Sequence, residues 1–334
     1  MRPEDDQERG VAARLSARLQ TLIGAGRDVS DFEVLAADTT RLLGPAHEVT
    51  LGVEYALESR RDAGRTPAES LPVWSELLGR ATASLPPSDA AAVAIRSRHR
   101  HQLRGRGRPG DLDTLVELCR REIERTGAGP GDRRLGDARA DLAWVLRDRA
   151  WFAAFQPARP RPAPRDDLAE ALDLIGDEVR RRSGGAAPDR PSADVARRIQ
   201  AEVLLAAGRD DPGAAARALE LAEELAKLED TDDDHRRPAT GFDQLPRARV
   251  LLAEGLLLTG QTDQATRVAR LAYALHGTPP VFDPARPLLV LARTADRPQA
   301  VATAQTALAQ RRSTFPPDSH FVAEAHRLVQ ELAS

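Results

Sequence analysis

Three proline-containing loops recur at an almost constant interval in the first half of the chain. Pro45, Pro87 and Pro130 are separated by 42 and 43 residues, and each precedes a helix-length segment, a break and a second such segment. A fixed period with a helix–loop–helix in each unit is typical of repeat proteins, because one hairpin cannot bury its apolar face alone and must pack on the next. The spacing therefore predicts a stack of helical hairpins.

Hydrophobic periodicity extends this prediction along the chain. Apolar residues recur with helical spacing in most segments, as at Leu15, Leu19 and Leu22, and no alternating strand pattern competes. We predict helices over residues 7–24, 31–43, 48–62, 67–83, 88–104, 111–125, 133–153, 166–183, 192–207, 213–229, 245–259, 262–275, 284–294, 298–311 and 318–332. The expected fold is an all-α, right-handed α-solenoid of about seven hairpins plus a C-terminal capping helix.

The first proline loop also carries a family motif. Residues 43–51 read LGPAHEVTL and match the LGPxHxxTL opening of the 42-residue tetratricopeptide repeat (TPR) variant of kinesin light chains and many bacterial repeat proteins. Further on, Gly260 and Ala265 match the GxxxxA spacing at the turn of the ordinary TPR. Its small helix positions are filled by Ala269, Ala272, Ala300, Ala304 and Ala307. The chain thus resembles a TPR protein, closely over 40–130 and 245–311 and weakly over 150–240.

This resemblance implies a non-enzymatic scaffold or adaptor that holds a protein or peptide partner in a concave groove lined by the first helix of each hairpin. In kinesin light chains, Asn residues on those helices hold the peptide backbone. This sequence contains no Asn, and the matching columns hold Tyr55 and Ala56, Ser97 and Arg98, and Ala140 and Asp141. Arg, Gln and Ser would have to take over that contact.

Two segments interrupt the helical hydrophobic periodicity. Residues 157–165, PARPRPAPR, contain four prolines and predict an extended loop, because proline cannot occupy a helix interior. Residues 229–238, EDTDDDHRRP, predict a charged linker without the ligand spacing of a Ca²⁺ loop. We place the domain boundary at the first of these, with repeats over 1–156 and 157–334 continuous in one superhelix.

Composition narrows the classes of function. The net charge is −3, which gives no general attraction to nucleic acid or to an anionic membrane. Cys119 is the only cysteine, so an intramolecular disulfide or a Cys-based metal site is excluded and a reducing cytoplasm fits. The acidic start MRPEDDQERG is unlike a signal peptide, and no apolar run is long enough to span a membrane. We expect a cytoplasmic protein without a cofactor or a membrane partner.

Enzyme motifs are missing. The sequence holds no GxSxG, GxxxxGK[ST] or HExxH, which favours a binding protein over an enzyme. A ligand- or peptide-sensing regulator whose superhelix changes pitch on binding stays an alternative, and an enzyme with a site built into the groove is a third. The pattern makes no prediction about the oligomeric state.

The densest charge cluster is RSRHRHQLRGRGR, residues 96–108, with six arginines, two histidines and no acid. Such a cluster can bind carboxylate or phosphate groups. It can also pair within the fold, since in the 42-residue register the columns of Glu54, Glu58 and Asp62 continue as Arg96, Arg100 and Arg104. Exposed pairs of this kind contribute about 0–1 kcal/mol each. Three interpretations stay open: an ion-pair ladder, an anion-binding groove and free solvated charge.

The candidate recognition patch consists of basic residues outside that ladder and on the next first helix, namely Arg98, His101, Arg106, Arg139 and Arg147. It lacks interleaved aromatic residues on which bases could stack, so nucleic acid is not the expected partner. Trp144 and Trp151 lie seven residues apart on one helix face. They predict either a local core or an aromatic anchor pocket for a partner.

Overall fold

The computed structural model describes residues 3–126, 133–153, 164–184, 190–231, 247–275 and 283–334. Within these ranges the chain forms fifteen α-helices, a 3-10 turn at Asp62–Gly64 and no strand. The helices are α1 Pro3–Gly24, α2 Val29–Leu43, α3 Glu48–Arg61, α4 Pro67–Ser84, α5 Ala90–Arg106, α6 Asp111–Thr126, α7 Arg133–Trp151, α8 Pro164–Ser183, α9 Arg190–Ala207, α10 Pro212–Thr231, α11 Ala248–Leu258, α12 Thr262–Ala274, α13 Arg286–Thr294, α14 Arg297–Thr314 and α15 His320–Ala333. The prediction of an all-α solenoid is confirmed, and the predicted helix ends agree to within four residues.

Local sequence explains where the helices begin. The loop at Pro45 ends in His47, whose Nδ1 accepts a hydrogen bond from the backbone N–H of Val49 at 3.1 Å and so caps α3. Thr66 and Glu69 form a capping box at α4, in which each side chain accepts a hydrogen bond from the other residue's backbone N–H. These caps replace the partners that the first turn of a helix lacks.

The chain divides into two compact units, Met1–Leu103 and Arg104–Ser334. The predicted boundary at 156/157 falls outside the described residues. So do most of the proline-rich loop, residues 157–163, and most of the charged linker, residues 232–238. The two units are therefore described one at a time.

The first unit is held together by two apolar clusters. One joins α1, α2 and α3 through residues such as Leu19, Phe32 and Val53. The other joins α3, α4 and the first part of α5 around Trp74, which is fully buried and packs with Ile95. Each helix thus buries its apolar stripe against its neighbours in the stack, as the predicted hairpins require.

In the second unit, consecutive helices from α6 to α15 pack against each other, and alternate helices also touch: α7 with α9, α9 with α11, and α11 with α13. The odd-numbered helices therefore form one layer, which we call the inner layer. Alanine makes this close packing possible. The small positions identified in the sequence, Ala265, Ala269, Ala272, Ala300, Ala304 and Ala307, are all buried.

The last helix of this unit meets the unit's beginning. The backbone N–H of His320 on α15 donates to the carbonyl of Gly107 at 2.9 Å. The Phe321 ring packs edge-on against Phe152, just after α7, with centroids 5.3 Å apart. Gly107 has a φ of 62°, and an added Cβ would lie 3.0 Å from Cε1 of His320. Glycine is required here, because the turn is left-handed and α15 lies directly against it.

Candidate binding pocket

The inner layer of the second unit encloses a pocket of about 380 Å³. Its walls come from α7, α11, α13 and α15, with contributions from the ends of α5, α9 and α14. Apolar wall residues include Val250, Leu257, Leu289, Val290, Phe321 and Leu328. The volume lies within the roughly 300–1,000 Å³ that is usual for small-molecule sites.

A network of buried ion pairs forms the polar part of the wall. Asp148 is completely buried and accepts a hydrogen bond from Arg104 Nε at 2.6 Å and from Arg147 Nη1 at 2.9 Å. Arg147 also pairs with Glu202 on α9. Glu202 in turn accepts a hydrogen bond at 2.9 Å from Arg286 on α13. These contacts connect three helices of the inner layer.

The network continues to the far side of the pocket. Arg286 Nε donates to Glu254 on α11 at 2.6 Å. Arg311 on α14 is buried and donates to Asp283 at 2.6 Å and to Glu324 at 2.8 Å. Each of these buried guanidinium groups is thus matched by carboxylates, as burial of charge requires.

The pairing with arginines also determines the pKa values of the buried carboxylates. Burial alone would raise the pKa of Glu202, but Arg147 and Arg286 outweigh it and hold that pKa below its usual range. In Glu324 the same opposition, with Arg311 as the main cation, lowers the pKa to about 2. These carboxylates are ionised at neutral pH and serve as acceptors in the pairs, so they are not available as proton donors.

Trp151 stands at the centre of the less paired part of the wall. Its Nε1 donates to Glu324 at 3.0 Å. The Arg209 guanidinium lies 3.1 Å from the ring centroid and that of Arg147 lies 4.5 Å from it, both within the range of a cation–π contact. The ring thus lies beside positive charge and borders the cavity.

Arg209 and Arg293 differ from the other pocket arginines. The carboxylate nearest to Arg209 is Glu324, at 3.9 Å, and in the described part of the chain no hydrogen bond reaches its guanidinium. Arg293 donates only to the carbonyl of Leu289, one turn back on its own helix, among the described residues. Burial against the pocket wall lowers the pKa of Arg209 to about 10, because the opposing charge of Glu324 is outweighed by that burial together with the positive charges of Arg147 and Arg293.

Among the residues predicted from sequence, Arg147 and Trp151 line this pocket. Trp144 lies below it in the core and packs against the Arg104 guanidinium, 3.4 Å from its ring centroid. Trp144 is therefore a core residue, and Trp151 borders the pocket.

The other predicted patch residues lie elsewhere. Arg98 and His101 belong to the first unit, where Arg98 Nε donates to Asp62 at 2.9 Å and His101 is buried. In the second unit, Arg106 makes a two-pronged contact with Asp111 at 2.7 and 3.0 Å, and Arg139 is half-buried on α7.

The ladder of the 42-residue register is wrong for its last predicted pair. Arg104 donates to Asp148 and not to Asp62. Asp62 instead accepts hydrogen bonds from Trp74 Nε1 at 2.9 Å, from Arg98 and from Gln102 at 2.8 Å. Arg98 is 36 residues from Asp62 in sequence and Gln102 is 40, so neither partner stands at the 42-residue offset of the predicted register.

The other two acids of the ladder find partners close by. Glu54 pairs with Arg80 on α4 at 2.7 Å. Glu58 pairs with Arg61 at 2.5 Å and with Arg65 at 2.8 Å. Arg96, predicted to face Glu54, donates to the carbonyl of Pro87 at 2.6 Å.

Sequence reasoning missed several residues of the pocket. Glu202, Arg209, Arg286 and Arg293 were not singled out, because they lie in the segments where the repeat resemblance is weak or are single charges without a cluster around them. One signal was present: Glu202 interrupts the apolar face of IQAEVLLAA, and a charge inside such a face predicts a buried partner.

Two kinds of site find no support in the described ranges. No group of three or more His, Cys, Asp or Glu side chains there is placed to hold a metal ion. No helix of that part of the chain combines the length and apolar character needed to cross a bilayer.

Comparison with known proteins gives structural matches alone. No protein-family model matches the sequence, and no curated protein matches it. A similar solved structure holds nearly identical TPR-like repeats assigned to a kinesin light chain of Podosopora anserina. It has 15% sequence identity and a TM-score of 0.45, and the match covers 68% of this chain and 95% of that one. A single-substitution variant of the same protein matches with the same identity and TM-score, over 69% and 96%. Both carry the repeat type that the motif at 43–51 predicts, and nothing about function follows from them.

Proposed function

We propose that this protein is a non-enzymatic binding module that holds a segment of a protein or peptide partner at the inner layer of its second unit. The observation that carries the proposal is the 380 Å³ pocket bordered by Trp151, with apolar walls on several helices and a network of ion pairs as the polar part of its wall. One large apolar side chain of the partner would fill it. Buried aromatic anchors of this kind contribute most of the binding energy in many interfaces.

The geometry also explains why binding rather than catalysis is proposed. In the pocket wall, paired arginines hold the pKa of Asp148 and of Glu324 below the usual range, and His320 is stacked on Phe152 inside the core. A general acid or base needs a pKa near the working pH and access to the ligand. Glu324, with its pKa lowered to about 2, lacks the first of these properties.

The buried single Cys119 suits the reducing cytoplasm that we propose as the location.

Selection from a random peptide library on the immobilised protein tests the proposal. Peptides enriched on the wild type should bind Trp151→Ala at least about tenfold more weakly, because the anchor contact is lost. The matched control is Leu271→Ala, which removes an exposed apolar side chain from α12, outside the inner layer. The control should bind the peptides as the wild type does. An absence of enriched peptides, or equal binding by all three proteins, contradicts the proposal.

A peptide-sensing regulator is the second candidate, and the contact between α15 and Gly107 favours it. Phe321, Glu324 and Leu328 of α15 line the pocket while the same helix closes the unit, so an occupant touches the closing helix directly. Solution scattering with and without an enriched peptide separates the two candidates. A sensor should change its radius of gyration on binding, whereas a static adaptor should keep it.

A further inference from the structure

We infer that the pocket is built for a carboxylate attached to an apolar body, with Arg209 and Arg293 as the groups that receive the carboxylate. The inference rests on the proposed function and names the chemistry of what the pocket holds. Neither of these two arginines belongs to the basic patch predicted from sequence, of which Arg147 also lines the pocket. Three observations lead to this inference.

The first observation is the charge balance of the pocket. Seven arginines and five carboxylates of the described chain line it, and Glu202 lies just behind. These carboxylates are all engaged: Asp148 by Arg104, Glu254 by Arg286, Asp283 by Arg311, and Glu324 by Arg311 and Trp151. Glu331 pairs with Arg327 at 2.8 Å. Arg209 has only the longer ion pair with Glu324, at 3.9 Å, and Arg293 donates only to a backbone carbonyl, so these two guanidinium groups are the least engaged in the described wall.

The second observation is the position of the two arginines. Arg209, which is 38% exposed, and Arg293, which is also exposed, can both be reached by a ligand without unfolding the wall. Both guanidinium groups line the same cavity, where Glu324 is the carboxylate whose charge acts on each of them. A second anion bound beside them would add to the charge compensation from Glu324 and would accept the hydrogen bonds that the Arg209 guanidinium does not make within the described residues. Guanidinium groups bind carboxylates through two parallel N–H groups.

The third observation selects the kind of anion. Trp151, Phe152, Leu257 and Leu289 supply apolar surface beside the two arginines, so the body of the ligand is apolar. Glu254, Glu324 and Glu331 also face the cavity. Their negative charge opposes a doubly charged phosphate more than a singly charged carboxylate. The pocket therefore fits a compact monocarboxylate better than a nucleotide or a phosphorylated side chain.

The chemistry has two possible sources, a peptide that ends in an aromatic residue or a free organic acid. We therefore choose two probe pairs: 3-phenylpropanoate with 3-phenylpropanamide, and the tripeptide Gly-Gly-Phe with its C-terminal amide. Within each pair the apolar body is constant and the carboxylate is present or missing. Binding is followed by the indole N–H resonance of Trp151, assigned by its loss in Trp151→Phe. Titration to millimolar concentrations suits probes of this size.

Each acid should bind at least about tenfold more tightly than its amide, as a charge-assisted hydrogen bond predicts. Arg209→Gln and Arg293→Gln should each weaken the acids about tenfold and leave the amides unchanged. Arg121→Gln is the matched control, an exposed arginine on α6 with one partner, Glu117. Thermal unfolding of all three variants verifies that the fold is kept. The source is the peptide if Gly-Gly-Phe binds more tightly than 3-phenylpropanoate, and a free acid if the order is reversed.

Amides that bind as tightly as acids, or arginine variants that bind the acids as the wild type does, overturn the inference. The peptide selection separates this failure from that of the proposed function. Enriched neutral peptides that need Trp151 but neither arginine would leave the binding module intact and remove the carboxylate. Enrichment of nothing, together with an unmoved Trp151 resonance, would remove both.

Discussion

Single buried polar residues organise each unit. In the first unit Asp62 joins three elements, because its carboxylate accepts from Trp74 on α4 and from Arg98 and Gln102 on α5 while it lies at the end of α3. In the second unit Asp148 does the same for Arg104 and Arg147. A buried carboxylate stabilises only when its partners are complete, so removal of one leaves several donors without an acceptor.

Asp62→Ala should therefore lower the free energy of unfolding of the first unit by about 3 kcal/mol, because the buried donors Trp74 Nε1 and Gln102 Nε2 lose their hydrogen-bond acceptor. Urea titration followed by tryptophan fluorescence measures the effect in a Trp144→Phe/Trp151→Phe background, where Trp74 is the only tryptophan. Asp38→Ala, which removes a carboxylate with two exposed ion pairs, is the control and should cost under about 1 kcal/mol. Equal losses in the two variants would contradict the role given to Asp62.

His320 should make the second unit sensitive to acid. Burial lowers its pKa to about 3, with Asp148 and Glu324 raising it and Arg104 and Arg311 lowering it further. The unfolded chain takes up a proton near pH 6.5 and the folded one does not until about pH 3. Stability is therefore complete above pH 6.5 and falls by about 1.4 kcal/mol per unit below it. Glu324, with a pKa of about 2, adds its own loss only below about pH 4.5.

The measurement is urea unfolding of wild type and His320→Leu at pH 7.5, 6 and 5. The slope between pH 6.5 and 4.5 should disappear in this variant. His326→Leu changes an exposed histidine of the same helix and should keep the wild-type slope. If His320→Leu retains that slope, another group is responsible for it.

At the scale of elements, the starts of several helices can be predicted from residues that are neighbours in sequence. The proline loops precede helices at Glu48 and Ala90 as predicted, because proline, cap residue and first turn are neighbours in sequence. The Thr66–Glu69 capping box belongs to the same class of local signal. In the pocket wall, by contrast, the ion pair of Arg286 and Glu202 joins residues 84 apart in sequence. The hydrogen bond from Trp151 to Glu324 joins residues 173 apart. Such pairs depend on how the hairpins stack, which no local pattern specifies.

Thr66→Ala should lower the free energy of unfolding of the first unit by about 1 kcal/mol, because the N-terminal turn of α4 loses its cap. Urea titration measures the change. The control is Thr21→Ala, where an exposed hydroxyl on α1 only donates to the carbonyl of Ala17. It should be close to neutral, and a loss as large as that of Thr66→Ala would contradict the capping argument.

Gly107→Ala tests the contact between α15 and the beginning of its unit. The substitution combines a left-handed backbone with a Cβ that meets His320 and Phe321, so a loss of about 1–3 kcal/mol is expected. Gly260→Ala is matched to it, since Gly260 has a φ of 78° but open space around its Cβ position. Both variants should lose stability, but faster amide exchange in α15 should follow only Gly107→Ala. Unchanged exchange in α15 would show that the contact does not hold the helix.

At the scale of the whole molecule, a hairpin stack is usually a chain of nearest-neighbour contacts in which the ends fray first. The second unit departs from this rule because α15 contacts Gly107 and Phe152 as well as α14. Its amides should be about as protected from hydrogen exchange as those of α9 and α11. Helix α1, with mostly exposed side chains, should exchange much faster. Native-state exchange of the full chain compares the three, and α15 exchanging as fast as α1 would refute the closure.

The general form of the fold could be predicted from sequence because hairpins are local, and its pocket could not. Trp151 and Arg147 were recognised by their position on a first helix. Arg209 and Arg293 can be identified as candidate ligand-binding groups only from the structure, which shows that the other five arginines of the pocket are paired more closely with carboxylates. The handedness of the superhelix and the continuity of 1–156 with 157–334 stay predictions.

The Gly107–His320 contact has a consequence for how this protein can change over time. An open stack lengthens easily, since a duplicated hairpin adds one more step at little cost. In the second unit an inserted hairpin would carry α15 away from the turn it touches and would pull Phe321 and Glu324 out of the pocket wall. Its number of hairpins is therefore set by a contact rather than by copying, and new binding specificities must arise by substitution within the wall.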